Sequence, residues 1–150
     1  KTACDVTGVL DGAQGAVARM AAIGRCSAII EFTPVGIVLS ANANFLAAIG
    51  YAAEEVVGRH HAMFMPPGEA QGEDYAAFWR RLARGESFSA EWRRVAKGGR
   101  EIWIQASYNP VLDAAGRVSS VVKVASDITA MVQRRQAREA LGRDVARVLE

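Results

Sequence analysis

The sequence is poor in the residues that build disulfide frameworks and metal centres. It contains two cysteines, Cys4 and Cys26, and two histidines, His60 and His61. The N-terminus shows no export signal, so we expect both cysteines to be reduced thiols in a cytoplasmic protein. A zinc site needs three or four ligands, which two adjacent histidines do not supply. A disulfide scaffold and a structural zinc protein are therefore disfavoured, and no metal site is predicted.

Long apolar runs and a large charge of one sign are missing as well. No stretch approaches the roughly 18–20 apolar residues of a membrane helix, so no membrane span is expected. The formal net charge of +2 is too small to indicate nucleic-acid binding. There is no nucleophile elbow, and Lys97-Gly98-Gly99 stands between two strand patterns, where it predicts a hairpin turn rather than a phosphate loop. We predict that the protein is not an enzyme.

What the chain does contain is enough apolar material for one globular domain. Apolar residues make up 51% of its 150 residues, a proportion that favours a single packed core over disorder. The first residue is Lys1 and not methionine, so we expect a piece of a longer protein.

Periodicity divides the chain into three parts. Apolar residues at spacings of four and three run from Val6 to Met20 and predict an N-terminal helical linker or cap over 1–25. Residues 26–127 alternate strand and helix patterns and form the predicted core. Asp127 is suited to cap a helix over 128–150, since its carboxylate accepts from the free donors of a first turn.

The core pattern predicts two strands, several short helices and three further strands. The strands fall at 28–32, 37–40, 87–94, 101–111 and 117–125, and the most robust helix at 70–84. Asn44 is predicted to cap a short helix over 45–49. Because the strands carry apolar residues on both faces, they need two covers. The predicted fold is α+β: one five-stranded antiparallel sheet, with short helices on one face and amphipathic N- and C-terminal helices flanking it.

Three stretches, in this order, carry a resemblance to a known family. They are residues 30–58, residues 97–110 and the tripeptide Asp127-Ile128-Thr129. Together they resemble the PAS family of sensory domains. Residues 60–64 and 103–110 resemble, more narrowly, the tandem PAS modules of cytosolic bacterial methyl-accepting chemotaxis receptors of the aerotaxis or energy-taxis type.

This resemblance implies a PAS fold and a role in signal transduction. The core, 26–127, would sense a stimulus, and the helix over 128–150 would be the signalling helix. The resemblance also implies a homodimer formed through the terminal helices. A covalently linked signalling domain would follow, and a second PAS domain would belong to the same protein.

The resemblance to flavin-binding relatives implies a cofactor pocket between the sheet and the short helices. FAD is the favoured cofactor, with redox state or oxygen as the stimulus. His61 stands where photosensory relatives carry a reactive cysteine, which argues against a blue-light adduct sensor. Met65-Pro66 replaces the basic pair that helps aerotaxis relatives to bind FAD.

Two alternatives stay open. One is a gas sensor that binds heme b, with His60 or His61 as the axial ligand. The other is a cofactor-free module that only dimerises and relays. The candidate cofactor-binding residues are His60, His61, Asn44, Trp92, Arg94, Ile104, Tyr108 and Trp103.

Overall fold

The computed structural model describes residues 27–149. The predicted linker helix over 1–25, with its apolar repeat from Val6 to Met20, lies outside the described residues. So do Cys4 and Cys26.

Five strands form one antiparallel sheet, as predicted. They are β1 (Ala28–Phe32), β2 (Val38–Ala41), β3 (Phe88–Val95), β4 (Glu101–Leu112) and β5 (Val118–Asp127). Their order across the sheet is β2-β1-β5-β4-β3. The last strand in sequence is thus the central one, and it pairs with β1 on one side and β4 on the other.

Helices and short turns lie between β2 and β3, between β3 and β4, and after β5. The helices are α1 (Ala43–Ile49), α2 (Ala53–Val56), α3 (Glu73–Ala83) and α4 (Thr129–Leu149), and single 3₁₀ turns lie at His61–Phe64, Glu69–Gln71 and Lys97–Gly99. Helix α3 begins later than the predicted 70–84, because Gly72 is extended and separates it from the preceding 3₁₀ turn.

The prediction that Asn44 caps the first short helix is wrong. The cap is Asn42, whose Oδ1 accepts hydrogen bonds of 2.9 Å from the backbone N–H groups of Phe45 and Ile29. Asn42 also donates to the carbonyl of Ser27. One amide side chain therefore caps α1 and ties it to β1. The positions of Asn42 and Asn44 in the sequence do not predict this tertiary contact.

The core lies between the inner face of the sheet and the helices α1 to α3. Ile102, Ile104, Ala106 and Tyr108 alternate inward along β4, and each is at most 5% exposed. The helices and turns contribute the buried side chains of Phe45, Ile49, Val56, Phe64, Trp79 and Leu82. The short helices therefore cover one sheet face, as predicted.

Helix α4 covers the outer face only through its first turns. Val132 is buried, and Arg135 forms hydrogen bonds of 3.0 and 3.1 Å to the carboxylate of Glu91 on β3. Beyond that point Leu141, Val145 and Val148 are 65%, 50% and 84% exposed. The expectation that this helix would cover the outer face thus holds for its beginning alone, because its apolar stripe lies past the end of the contact with the sheet.

Candidate functional site

A small polar cluster lies inside the apolar core. His61 and Tyr108 are 0% exposed, Lys123 is 1% exposed and Arg94 is 5% exposed. They come from four separate elements, namely the 3₁₀ turn at His61–Phe64 and the strands β3, β4 and β5. Strand alternation turns the three strand residues inward, among side chains that are otherwise apolar.

His61 is held between two tyrosines. Its Nδ1 lies 2.7 Å from the Tyr75 hydroxyl, and its Nε2 lies 2.9 Å from the Tyr108 hydroxyl. Burial lowers the pKa of His61 well below its usual value, and the charges of Lys123 and Arg94 lower it further. His61 is therefore a neutral imidazole near pH 7, with one ring nitrogen donating and the other accepting.

The Tyr108 hydroxyl is the point where the cluster converges. Besides its contact with His61, it accepts a hydrogen bond of 3.1 Å from Nη2 of Arg94. The ammonium of Lys123 lies 4.9 Å from the centroid of the Tyr108 ring. Burial acts to raise the pKa of Tyr108, but the two cations outweigh it and the net shift is downward.

Tyr75 and Lys123 are tuned by the same surroundings. Burial raises the pKa of Tyr75 to about 12, so this tyrosine stays a neutral phenol. Burial lowers the pKa of Lys123, which the Tyr108 hydroxyl opposes and the Arg94 charge reinforces. The Lys123 ammonium also lies 5.7 Å from the centroid of the Phe45 ring.

Arg94 is only partly satisfied. Its Nη1 donates to the carbonyl of Arg93 at 2.8 Å, and its guanidinium lies 5.2 Å from the Trp92 ring centroid. Its buried Nε has no hydrogen-bond partner among the described residues. A buried donor without an acceptor costs free energy, which makes this atom the strongest local indication of a missing partner.

Arg94 and Lys123 both border a small inner cavity of about 20 Å³. Its other walls are largely apolar and include Phe45 and Ile104, and Asp127 stands at its border. A cavity of this order admits one small molecule or ion of a few heavy atoms.

A second, open groove of about 1100 Å³ lies on the other side of Arg94. It runs between α3 and the edge strand β3, where Tyr75, Phe78 and Trp92 line it, and it reaches Trp103. Its acidic and basic side chains are partly paired, for example Arg93 with Glu69 at 3.1 Å.

The predicted site residues separate into two groups. His61, Arg94, Ile104 and Tyr108 meet on the inner face of the sheet, with Trp92 beside them.

The other three lie elsewhere. Trp103 alternates to the outer face, where its backbone N–H donates to Oγ1 of Thr129 at 3.0 Å. Asn44 is exposed at the start of α1 and donates to the Ser27 carbonyl at 3.3 Å. His60 faces the first hairpin turn, with Nε2 2.9 Å from the Val35 carbonyl and Nδ1 accepting from Ala62.

Lys123 is the residue of this cluster that sequence reasoning missed. The signal was present, because Val121, Lys123 and Ala125 share one face of β5 and the other two are apolar. A lysine at an inward position of a central strand is rarely buried without a functional or structural reason.

The inner cavity does not fit the predicted cofactors. An isoalloxazine ring needs far more than about 20 Å³, since ligand sites are typically about 300–1,000 Å³. Heme needs an imidazole nitrogen free to coordinate iron, whereas both ring nitrogens of His60 and of His61 are engaged. The open groove that Trp92 and Arg94 line is of sufficient size for such a ligand.

Two further features are absent from residues 27–149. No group of three or more potential metal ligands comes together in this part of the chain. None of the helices that the structure describes is both long and apolar enough to span a membrane.

The order of the five strands, the helices on one face of the sheet and the helix that follows β5 define the class of fold. The family model described as PAS fold matches residues 26–133, and the chain belongs to the PAS family. The resemblance drawn from the sequence is thereby confirmed.

The chain is similar to a particular curated protein, the biofilm dispersion protein BdlA of Pseudomonas aeruginosa. The two are 42% identical over 137 residues, which cover 91% of this chain and 33% of that protein. The chain therefore spans about one third of the length of this relative.

Solved structures share the fold. An RNA-binding light-oxygen-voltage receptor matches with a TM-score of 0.71 and 26% identity, covering 91% of this chain and 40% of that one. A light-oxygen-voltage domain studied with a flavin analogue matches with a TM-score of 0.65 and 20% identity, covering 88% and 99% of the two chains.

Proposed function

We propose that this domain is the signal-input module of a bacterial chemoreceptor-like protein of the cytosol. It senses a change at the inner face of its sheet and relays that change through α4 to a covalently linked signalling domain. The 42% identity to the biofilm dispersion protein supports this proposal, as does the likeness of residues 60–64 and 103–110 to chemoreceptor PAS modules. The role is that of a sensor and not of an enzyme.

The observation that carries the proposal is the set of hydrogen bonds that join the start of α4 to the central strand β5 and its neighbour β4. Asp127, the last residue of β5, accepts hydrogen bonds from the backbone N–H of Thr129 at 2.9 Å and from its hydroxyl at 2.6 Å. Oγ1 of Thr129 in turn accepts from the N–H of Trp103 on β4. A shift of β4 or β5 at the cluster therefore acts directly on the first turn of α4.

The exposed stripe on α4 supports dimerisation as the second half of the relay. Leu141, Val145 and Val148 recur at spacings of four and three residues, the repeat of a helix that packs against a partner helix. We propose a homodimer in which the two α4 helices pair, so that a change at their roots alters their packing.

Redox sensing through FAD is a second candidate function, favoured by the open groove. Its volume of about 1100 Å³, the rings of Trp92 and Phe78 and the guanidinium of Arg94 suit an aromatic, anionic ligand. A bound flavin would supply reversible electron transfer. Heme gains no such support, because neither histidine has a free ring nitrogen.

An absorption spectrum separates the cofactor proposals. The protein is purified, and a second portion is reconstituted with FAD or with hemin. Flavin bands that disappear in a Trp92→Ala variant support redox sensing in the groove. A Soret band with hemin would overturn the ranking of FAD over heme. A colourless protein that fails both reconstitutions would leave the cofactor-free relay as the proposed function.

A chimera tests the relay itself. This chain replaces the matching 137-residue segment of the biofilm dispersion relative, and dispersion of biofilms is measured in cells that lack the native protein. Asp127→Ala should abolish the response while the protein still accumulates. Asp113→Ala is the matched control, because this exposed aspartate also accepts two local backbone hydrogen bonds but lies in the β4–β5 turn. An Asp127→Ala chimera that disperses like the parent chimera would sink the relay proposal.

A further inference from the structure

Two basic side chains, Arg94 and Lys123, are buried together in the core without a buried carboxylate. The buried polar or charged residues among those described are His61, Arg94, Ser120 and Lys123, and none of them is a carboxylic acid. The acidic group beside the two basic side chains is the phenol of Tyr108, whose pKa they lower. His61 cannot offset the cations, because its imidazole is neutral or positive in every protonation state. The carboxylate that borders the cavity, Asp127, is exposed and is engaged by Thr129.

Such an arrangement is unfavourable unless something compensates for it. A buried cation loses its hydration, and two neighbouring cations also repel each other in a medium of low dielectric constant. The Tyr108 hydroxyl accepts from Arg94, and the Lys123 ammonium lies near the ring faces of Phe45 and Tyr108. These groups weaken the penalty but do not neutralise two charges.

The geometry offers room for the missing charge. Arg94 and Lys123 both line the cavity of about 20 Å³, and Nε of Arg94 is a buried donor without an acceptor. The volume admits one small group and excludes a large one. An anion placed there would lie beside both basic side chains, where the guanidinium of Arg94 supplies charged donors.

We propose that this cavity binds a small monoanion, of the class of formate, nitrate and chloride, held by Arg94 and Lys123. The inference rests on the proposed sensory function and names the chemical class of its stimulus. The anion neutralises the two cations and completes the hydrogen bonds of Arg94.

The position of the cavity links this binding to the signalling helix. Ser126 and Asp127, the last residues of β5, line it together with Lys123 on the same strand. Binding draws the side chain of Lys123 toward the anion and acts on the strand end from which α4 begins. Anion binding and the position of α4 are therefore coupled through one strand.

The test measures stability and binding on the purified chain at constant ionic strength. Sodium gluconate, whose anion is too large for the cavity, is replaced stepwise by sodium formate, and thermal unfolding is recorded. A tenfold excess of formate over its dissociation constant should raise Tm by about 5 °C. Broadening of the carbon-13 formate resonance in NMR reports binding directly, and nitrate and chloride serve as competitors.

Lys123→Met removes the ammonium and nearly keeps the side-chain volume, so it should abolish both the shift in Tm and the NMR broadening. Arg93→Met is the matched control, since Arg93 is a neighbouring arginine that faces away from the cavity, and it should respond like the parent. If Lys123→Met does not fold, Arg94→Lys keeps a positive charge but loses Nε, and formate should bind at least about tenfold more weakly.

Equal Tm values in formate and gluconate, without NMR broadening, would overturn the anion site. A wild-type response in Lys123→Met would do the same. The relay is tested separately with Thr129→Val, because Thr129 does not line the cavity and contacts Trp103 at the start of α4. This variant should bind formate even where its chimera fails to signal. An anion site without signalling and signalling without an anion site are thus distinct outcomes.

Discussion

Replacing Tyr108 with phenylalanine removes one oxygen atom from the centre of the polar cluster. The ring stays in place, so the apolar packing of the core is preserved. The change breaks the hydrogen bond from Arg94 at 3.1 Å and the contact of 2.9 Å with His61. Both former partners remain buried, where water does not replace the lost hydrogen bond.

The expected cost follows from these two contacts. A buried hydrogen bond that involves a charged group contributes roughly 1.5–3 kcal/mol and a neutral one about 1 kcal/mol. Tyr108→Phe should therefore lower the free energy of unfolding by about 3 kcal/mol. For a domain of this size, Tm should fall by roughly 10 °C.

Urea denaturation followed by circular dichroism measures the effect. Tyr75→Phe is the matched control, because it removes one hydroxyl from the other side of His61 and breaks one hydrogen bond of a half-buried tyrosine. Its expected cost is about 1 kcal/mol. If Tyr108→Phe proved no more destabilising than Tyr75→Phe, the assignment of Tyr108 as the centre of the cluster would be refuted.

Three further predictions follow from the described contacts. Asn42→Ala should lower the free energy of unfolding by about 2 kcal/mol in urea denaturation, whereas Asn44→Ala should cost roughly 0.5 kcal/mol or less; equal costs would contradict the cap assignment. Burial and two neighbouring cations lower the pKa of His61, so the unfolded chain binds a proton at this residue more tightly than the folded chain does. The free energy of unfolding should therefore fall as the pH drops below about 6.5, by about 1.4 kcal/mol per pH unit. In His61→Gln, the free energy of unfolding should lose this contribution to its pH dependence between pH 5 and 7. A pH dependence equal to that of the wild-type protein would refute the lowered pKa of His61. Thr129→Val breaks the contact with the Trp103 N–H and should speed hydrogen exchange in the first turns of α4 without affecting β1; protection equal to wild type in α4 would exclude a role in the relay.

Local patterns were sufficient for most of the architecture. The turn at Thr33–Gly36 forms because Gly36, with φ of 95°, donates to the Thr33 carbonyl at 2.9 Å. Gly85, with φ of 98°, adopts the left-handed conformation just after the end of α3, where its N–H donates to the Leu82 carbonyl at 3.0 Å. Such signals lie within a few residues of the structure they specify, so a sequence pattern detects them.

The site was harder to predict because its contacts join distant parts of the chain. His61 and Tyr108 are 47 residues apart, and Arg94 and Tyr108 are 14 apart. Alternation along β4 indicated that Ile104 and Tyr108 share a face with each other and not with Trp103. It did not indicate that the side chains of His60 and His61 would form hydrogen bonds with different partners. These two residues stand at the start of a 3₁₀ turn, where the alternation of a strand does not apply.

The sequence by itself determined the order of helices and strands and the PAS fold, since periodicity and turn residues act locally. Only the tertiary structure decided what the core contains. Strand β5 enters the centre of the sheet between β1 and β4, and that position places Lys123 beside Arg94 and Tyr108. The positive charge of the site thus depends on which strands are neighbours in the sheet. The sequence of one strand alone does not determine its neighbours.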